Sequence, residues 1–151
     1  MKKLVTSTTM TIMTLLFMNA CASKPTHLDL VVKSHNNINL DSDRIASPLM
    51  LHFYELDSAE QFSKLDYWTI VDNAKDKLSS DLISQNEHII VPNEEQTYKI
   101  LFDEKAKFLG IIGSFRNLDS NSTWRHVINL KDKAYNYVEL EIDKNQIKEA
   151  E

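Results

Sequence analysis

The chain has 151 residues, with 17 lysines and arginines against 22 aspartates and glutamates, a formal charge of −5. Such an acidic balance argues against nucleic acid and against a basic patch for anionic lipid, because both are held by neutralising phosphates. The single cysteine cannot close an internal bridge, which excludes a small secreted fold framed by disulfides.

The first element is an export signal. Met1-Lys2-Lys3 is a positive start, Leu4 to Met18 is an apolar run diluted by threonines, and the small residues Ala20, Cys21, Ala22 and Ser23 follow. The run is too short and too rich in hydroxyls for a spanning helix, which needs about 20 mostly apolar residues. Its threonines form no helical stripe, which argues against a buried amphipathic helix. The stretch FMNAC, ending at Cys21, resembles the lipobox of bacterial lipoproteins, where the peptidase cuts just before a cysteine that carries the lipid. Ala20 matches the small residue before the cut; Met18 replaces the usual leucine and Asn19 is atypical. Ala22 stands where an Asp tends to keep such proteins in the inner membrane, so this resemblance implies the outer membrane. One acyl chain holds a protein weakly and several hold it durably. The expected organisation is a signal over residues 1–20 that is removed, a lipidated tether over 21–26 and one domain over 27–151. Removal of Lys2 and Lys3 takes the charge from −5 to −7.

Strands follow the tether. HLDLVVK places Leu28, Leu30 and Val32 on one face, and PLMLHFYEL places Leu49, Leu51 and Phe53 opposite Met50, His52 and Tyr54. Alternation with period two means half-buried strands. Between them, Ser34 to Ser47 is rich in Asn, Asp and Ser, too polar for a strand and too long for a tight hairpin. Loops of this length in a compact domain are functional or disordered. Ser58 and Gln61 form a capping-box pattern, and Phe62, Leu65, Trp68 and Val71 follow at helical spacing. Asp72-Asn73 interrupts the stripe, and Ala74, Leu78 and Leu82 resume it, so one or two short helices are expected from about Ala59 to Ile83. Their aromatic stripe reads as core packing.

Further strands are expected in EHIIVPN, QTYKILFD, TWRHVINL and NYVELEID, with QIKEA as a short edge strand. KFLGIIGSFRN is almost wholly apolar and reads as a central strand. It holds both glycines, Gly110 and Gly113, expected to make room for an aromatic ring or for the helices. Closely spaced strands with one helical insertion describe a β-sandwich.

Catalytic spacing is missing. His27, His35, His52, His88 and His126 are scattered and fit no zinc motif. Ser114 lies in no G-x-S-x-G elbow, and a serine nucleophile would need a base in hydrogen-bond reach. Asp41 and Asp43 lack the Gly and Glu of a calcium loop. No metal, cofactor or catalytic residue is expected. Arg116, Trp124 and Arg125 suggest a structural cation–π stack.

Taken together, these stretches resemble the TssJ-type outer-membrane lipoproteins of bacterial type VI secretion systems. The likeness rests on the lipobox at Cys21, the polar loop ending in Ser47-Pro48, LHFYELDSAEQF (Leu51 to Phe62), and LGIIGSFRNLDSNSTWRHVINL (Leu109 to Leu130). Gly113-Ser114 and FYEL depart mildly from the usual pattern. The resemblance implies a mainly β, transthyretin-like two-sheet β-sandwich with a one- or two-helix insertion after the second strand, and no enzymatic activity. It implies that the loop after the first strand binds the periplasmic C-terminal region of TssM, the inner-membrane partner. Carried over by position, the contact residues are Asn36, Asn37, Ile38, Asn39, Leu40, Asp41 and Asp43, and the lipid site is Cys21. Ile38 and Leu40 either tuck into the domain's own core or anchor the partner. Two other readings compete. A periplasmic lipoprotein module for a small molecule or glycan would use Trp68, Trp124 and the tyrosines as stacking surfaces. A hydrolase would need a histidine with a nucleophile or carboxylate within about 3 Å.

Overall fold

Alternation of apolar and polar residues builds β1 (His27–Ser34), in which Leu28, Leu30 and Val32 are buried while His27, Asp29 and Lys33 are not. The computed structural model describes residues 24–150; the expected signal and Cys21 lie outside the described residues. β1 pairs antiparallel with β4 (Glu95–Leu101) and parallel with β7 (Tyr135–Asp143), and β7 carries the short β8 (Gln146–Glu149). The first sheet therefore runs β4-β1-β7-β8. In the second, β2 (Leu49–Leu56) and β5 (Phe108–Gly113) are central, with β3 (Leu82–Ile90) and β6 (Arg125–Asn129) at the edges, all antiparallel.

The two sheets close face to face. Leu28, Leu30, Val32, Leu140, Ile142 and Ile147 of the first meet Leu49, Leu51, Phe53, Ile90, Leu109, Ile111 and Ile128 of the second. Each such side chain contributes roughly 1.5–3 kcal/mol on burial, so this layer is what holds the strands together. The sandwich expected from the strand spacing is the fold.

The second sheet is covered on its outer face too. Helices α1 (Glu60–Lys64) and α2 (Tyr67–Leu78) lie between β2 and β3 in the chain, followed by a 3-10 turn over Ser79–Asp81. Phe62, Tyr67, Ile70, Ala74 and Leu78 pack on Tyr54, Leu56 and Ile112. A strand covered on both faces has no polar side, which is why FLGIIG reads as continuously apolar. Gly110 makes room for the helices as expected: a Cβ there would lie 2.6 Å from Phe62 Cζ. At Gly113 a Cβ would lie 2.8 Å from Phe115 Cε2.

The helical stripe differs from the expected one. Trp68 is exposed, and Tyr67 and Ile70 are buried in its place. The cause is a break at Leu65, whose backbone is extended, and a fresh start capped by the Asp66 carboxylate accepting from Thr69 N–H at 3.0 Å. The new helix sets its own phase, with Tyr67, Ile70, Ala74 and Leu78 on one face. Asn73 does interrupt α2, with non-helical backbone angles. The capping box does not form: α1 starts after Ala59, and Ser58 Oγ merely accepts from Glu60 N–H at 3.3 Å. The helices stop at Leu78, and β3 begins at Leu82, earlier than its polar start suggested.

Candidate functional site: the loop after the first strand

Residues 35–48 link β1 to β2 across the end of the sandwich, and they are stapled rather than loose. Ile38 is fully buried in the inter-sheet core. Asn39 is buried with positive φ; its Nδ2 donates to Pro48 O at 2.7 Å and its Oδ1 accepts from Arg116 N–H at 2.8 Å. Its own N–H donates to Lys144 O at 3.0 Å. Beyond this staple, Asp41 organises a tight tip. Its Oδ1 accepts from Asp43 N–H at 2.9 Å and Ile45 N–H at 2.8 Å, and Arg44 N–H donates to Asp41 O at 3.0 Å. An Asp that binds backbone a few residues on stabilises a turn locally.

Of the seven residues expected at this site, the structure divides the set. Ile38 and Asn39 face inward: burial of one and the hydrogen bonds of the other hold the loop, and for Ile38 this is the core position that the sequence left as one of two alternatives. Asn36 and Asp43 are exposed, and Asn37, Leu40 and Asp41 are half-buried. Asn37 Oδ1 is buried with no hydrogen-bond partner among the described residues. The expectation missed Arg44, which is exposed with positive φ, and Ile45, which is 61 % exposed at the tip. The signal for Ile45 was the same one that singled out Ile38, an apolar residue in a polar segment. Beside the loop lies an open hollow of about 470 Å³, lined by His35, Asn36, Asn93, Glu94, Glu95 and Glu141 among others.

The loop and the N-terminal entry lie at opposite ends of β1. At the loop end, Ser34 N–H donates to Glu94 O at 2.8 Å. At the other end, Thr26 is fixed by Phe102 N–H to its carbonyl at 3.0 Å and Lys133 N–H to its hydroxyl at 2.8 Å. Eight strand residues at a rise of about 3.3 Å separate the two by roughly 25 Å.

A second polar cluster sits on the outer face of the second sheet. His52 Nε2 is 2.8 Å from Ser114 Oγ, His52 Nδ1 is 3.3 Å from Glu87 Oε1, and the Tyr67 hydroxyl donates to Ser114 Oγ at 2.9 Å. The histidines are thus scattered in the chain but not isolated in space, and the distance a hydrolase would need is present. Burial holds the His52 pKa below the usual 6.5, against the pull of Glu87. Burial also pushes the Tyr54 hydroxyl up to about 12. A serine nucleophile further needs donors aimed at the developing oxyanion. The backbone donors of Ser114 and the two residues after it are engaged: Ser114 N–H with Met50 O at 2.9 Å, Phe115 N–H with Gly113 O at 2.9 Å, and Arg116 N–H with Asn39 Oδ1. What the geometry does is tie α2 to the sheet.

The cation–π stack forms with Arg125, whose guanidinium carbon is 4.7 Å from the Trp124 ring centroid; Arg116 is exposed. Arg125 Nη1 also donates to Phe62 O at 2.7 Å and Leu65 O at 2.8 Å, capping the end of α1. Both tryptophans are edge-on to Tyr67; Trp68 is 65 % exposed, Trp124 is half-buried, and neither lines the hollow beside the loop. Among the described residues no group of three His, Cys, Asp or Glu is placed to hold a metal, and no helix is long and apolar enough to cross a membrane.

Comparison with known proteins places this geometry. No curated protein matches the chain. The crystal structure of the T6SS lipoprotein TssJ1 from Pseudomonas aeruginosa is 29 % identical with a TM-score of 0.79, covering 83 % of this chain and 95 % of that one. Serratia marcescens Lip, a membrane-bound component of the type VI secretion system, shares the fold at 17 % identity and a TM-score of 0.77, over 84 % and 97 % of the two chains. A chain in the structure of the T6SS protein TssM C-terminal domain from EAEC shares it at 22 % identity and a TM-score of 0.71, over 83 % and 98 %. The family T6SS-SciN, described as "Type VI secretion lipoprotein, VasD, EvfM, TssJ", matches residues 26–145. With that match over most of its length and a sandwich shared with TssJ1, the chain belongs to the TssJ family of type VI secretion lipoproteins.

Proposed function

We propose that the chain is acylated at Cys21, held on the periplasmic face of the outer membrane, and docks the periplasmic C-terminal region of a TssM-like inner-membrane protein through the 35–48 loop. The role is structural: it completes a trans-envelope complex. Family membership supports the lipoprotein part of this reading. The occurrence of the same fold in a structure of the TssM C-terminal domain supports the choice of partner.

The observation that carries the reading is the loop tip. A buried staple at Ile38 and Asn39 holds Asp43, Arg44 and Ile45 out from the end opposite the tether. A rigid tip loses little entropy on binding, and one apolar side chain ringed by charges suits a small interface anchor. Leu40 and Asn36 flank it. Calorimetry of the mature chain against the TssM-like periplasmic region tests it. Ile45→Glu should weaken binding at least about tenfold, the equivalent of ~1.4 kcal/mol. Undiminished binding by folded Ile45→Glu, and by a folded variant lacking residues 42–45, overturns the loop's role.

A further inference from the structure

We propose that the outer face of the first sheet, at the row Leu101–His27–Tyr135, rests on the bilayer surface. The inference builds on the lipid-anchor reading and says which face of the domain the anchor brings to the membrane.

The row is set by register. His27 of β1 lies directly opposite Leu101 of β4 on one side and Tyr135 of β7 on the other. Residues opposite one another in a sheet share a face, and Leu28 points into the core, so these three point out. Leu101 is 68 % exposed, and Tyr135 and its neighbour Tyr137 are each 54 % exposed. The His27 and Tyr135 rings lie 5.0 Å apart, and with Leu101 and Lys99 they frame a shallow hollow of about 350 Å³. The next row on this face holds Tyr137 beside the pair Asp29 and Lys99 at 3.7 Å, and further along come Lys33 with Glu139 at 3.2 Å and Glu141 with Lys148 at 3.5 Å. The apolar and aromatic residues are therefore gathered at one end.

That end is where the tether arrives. Four residues lie between Cys21 and Thr26, so the span is at most about 18 Å even when fully extended. Thr26 is bonded on both sides, to Phe102 after β4 and to Lys133 before β7, so the tether meets a fixed point on the body. A chain this short keeps the end of the body that carries the row on the membrane side. Tyrosine suits that layer, with an apolar ring and a polar tip. Lys24, Lys131 and Lys133 are exposed around the same entry with Asp132 among them, and the −7 domain as a whole has no charge-driven reason to adsorb. The row acts because the anchor supplies proximity. The loop lies at the other end of β1, roughly 25 Å along the strand from this row.

The test couples the thiol of mature-chain Cys21 to a maleimide phospholipid in phosphatidylethanolamine–phosphatidylglycerol vesicles. The reference is the N-ethylmaleimide-blocked chain mixed with the same vesicles, and hydroxyl-radical footprinting reads both. Modification of Leu101, Tyr135 and Tyr137 should fall at least about threefold on coupling, as expected for side chains entering the headgroup layer. Met50 and Trp68, on the second sheet and α2, should not change. In coupled Leu101→Glu/Tyr135→Glu, both exposed positions, Tyr137 should return to its reference modification. Equal modification at all five residues, or protection centred on Trp68, overturns the inference. Mass analysis of the Cys21 peptide from cells separates the two claims: a free thiol there overturns the anchor reading, while the coupled-vesicle result judges the face.

Discussion

Single side chains carry more of this fold than their number suggests. Gly110 lies under the Phe62 ring, where a Cβ would approach three ring carbons within 3.0 Å. A ring is stiff, so Gly110→Ala forces α1 off the sheet, and urea unfolding should show a loss of about 1–3 kcal/mol. Phe62→Leu in the same chain should recover part of it; a neutral Gly110→Ala would refute the contact. Arg125 is a second such residue, holding the Phe62 and Leu65 carbonyls while stacking on Trp124. Arg125→Ala leaves those helix-end carbonyls without that donor and should cost about 1.5–3 kcal/mol by the same measurement. Arg125→Lys should recover only part, because an ammonium cannot reproduce the planar fork.

At the scale of elements, the helical insertion and its tie to the sheet decide the behaviour with pH. His52 reaches Ser114, and Ser114 receives Tyr67 from α2. Burial lowers the His52 pKa in the folded chain, and His88 is lowered by burial too. The unfolded imidazoles take protons near 6.5 while the folded ones resist. Stability is therefore fully present above 6.5, falls as pH drops below it, and levels off once the folded values are passed. The melting temperature should decline as pH falls below about 6.5, and His52→Gln should flatten part of that decline. An unchanged slope would show that His52 is not coupled to folding. The strands were legible in the residues because each alternates against one core: Leu28, Leu30 and Val32, or Val138, Leu140 and Ile142. The phase of α2 was not, because the stripe Phe62–Leu65–Trp68 runs through a chain break that only the Asp66 cap marks. The first half of β3 was hidden for another reason. It is an edge strand whose middle, Gln85, Asn86 and Glu87, stands in solvent, and its first residues, Leu82 and Ile83, continue the helical stripe in the sequence.

The whole molecule has two poles joined by β1, with the tether entry at one end and the 35–48 loop at the other. The residues announced the loop by its polarity and the anchor by Cys21, but not which loop residues remain outside. Ile38 and Ile45 look alike in the chain; one fills the inter-sheet core and the other stands in solvent. The Ser114–His52–Glu87 cluster was equally unreadable, because its members lie far apart in sequence and meet only through the register of β2, β3 and β5. With the proposed anchor on the tether side and a stapled tip at the other pole, the body would suit a bridge from the outer membrane to an inner-membrane partner. Photo-crosslinking in cells tests this polarity most directly, with benzoylphenylalanine placed at position 45 or at position 101. The account predicts a covalent adduct with the TssM-like protein from position 45 and none from position 101. An adduct with that protein from position 101, with none from position 45, would contradict it.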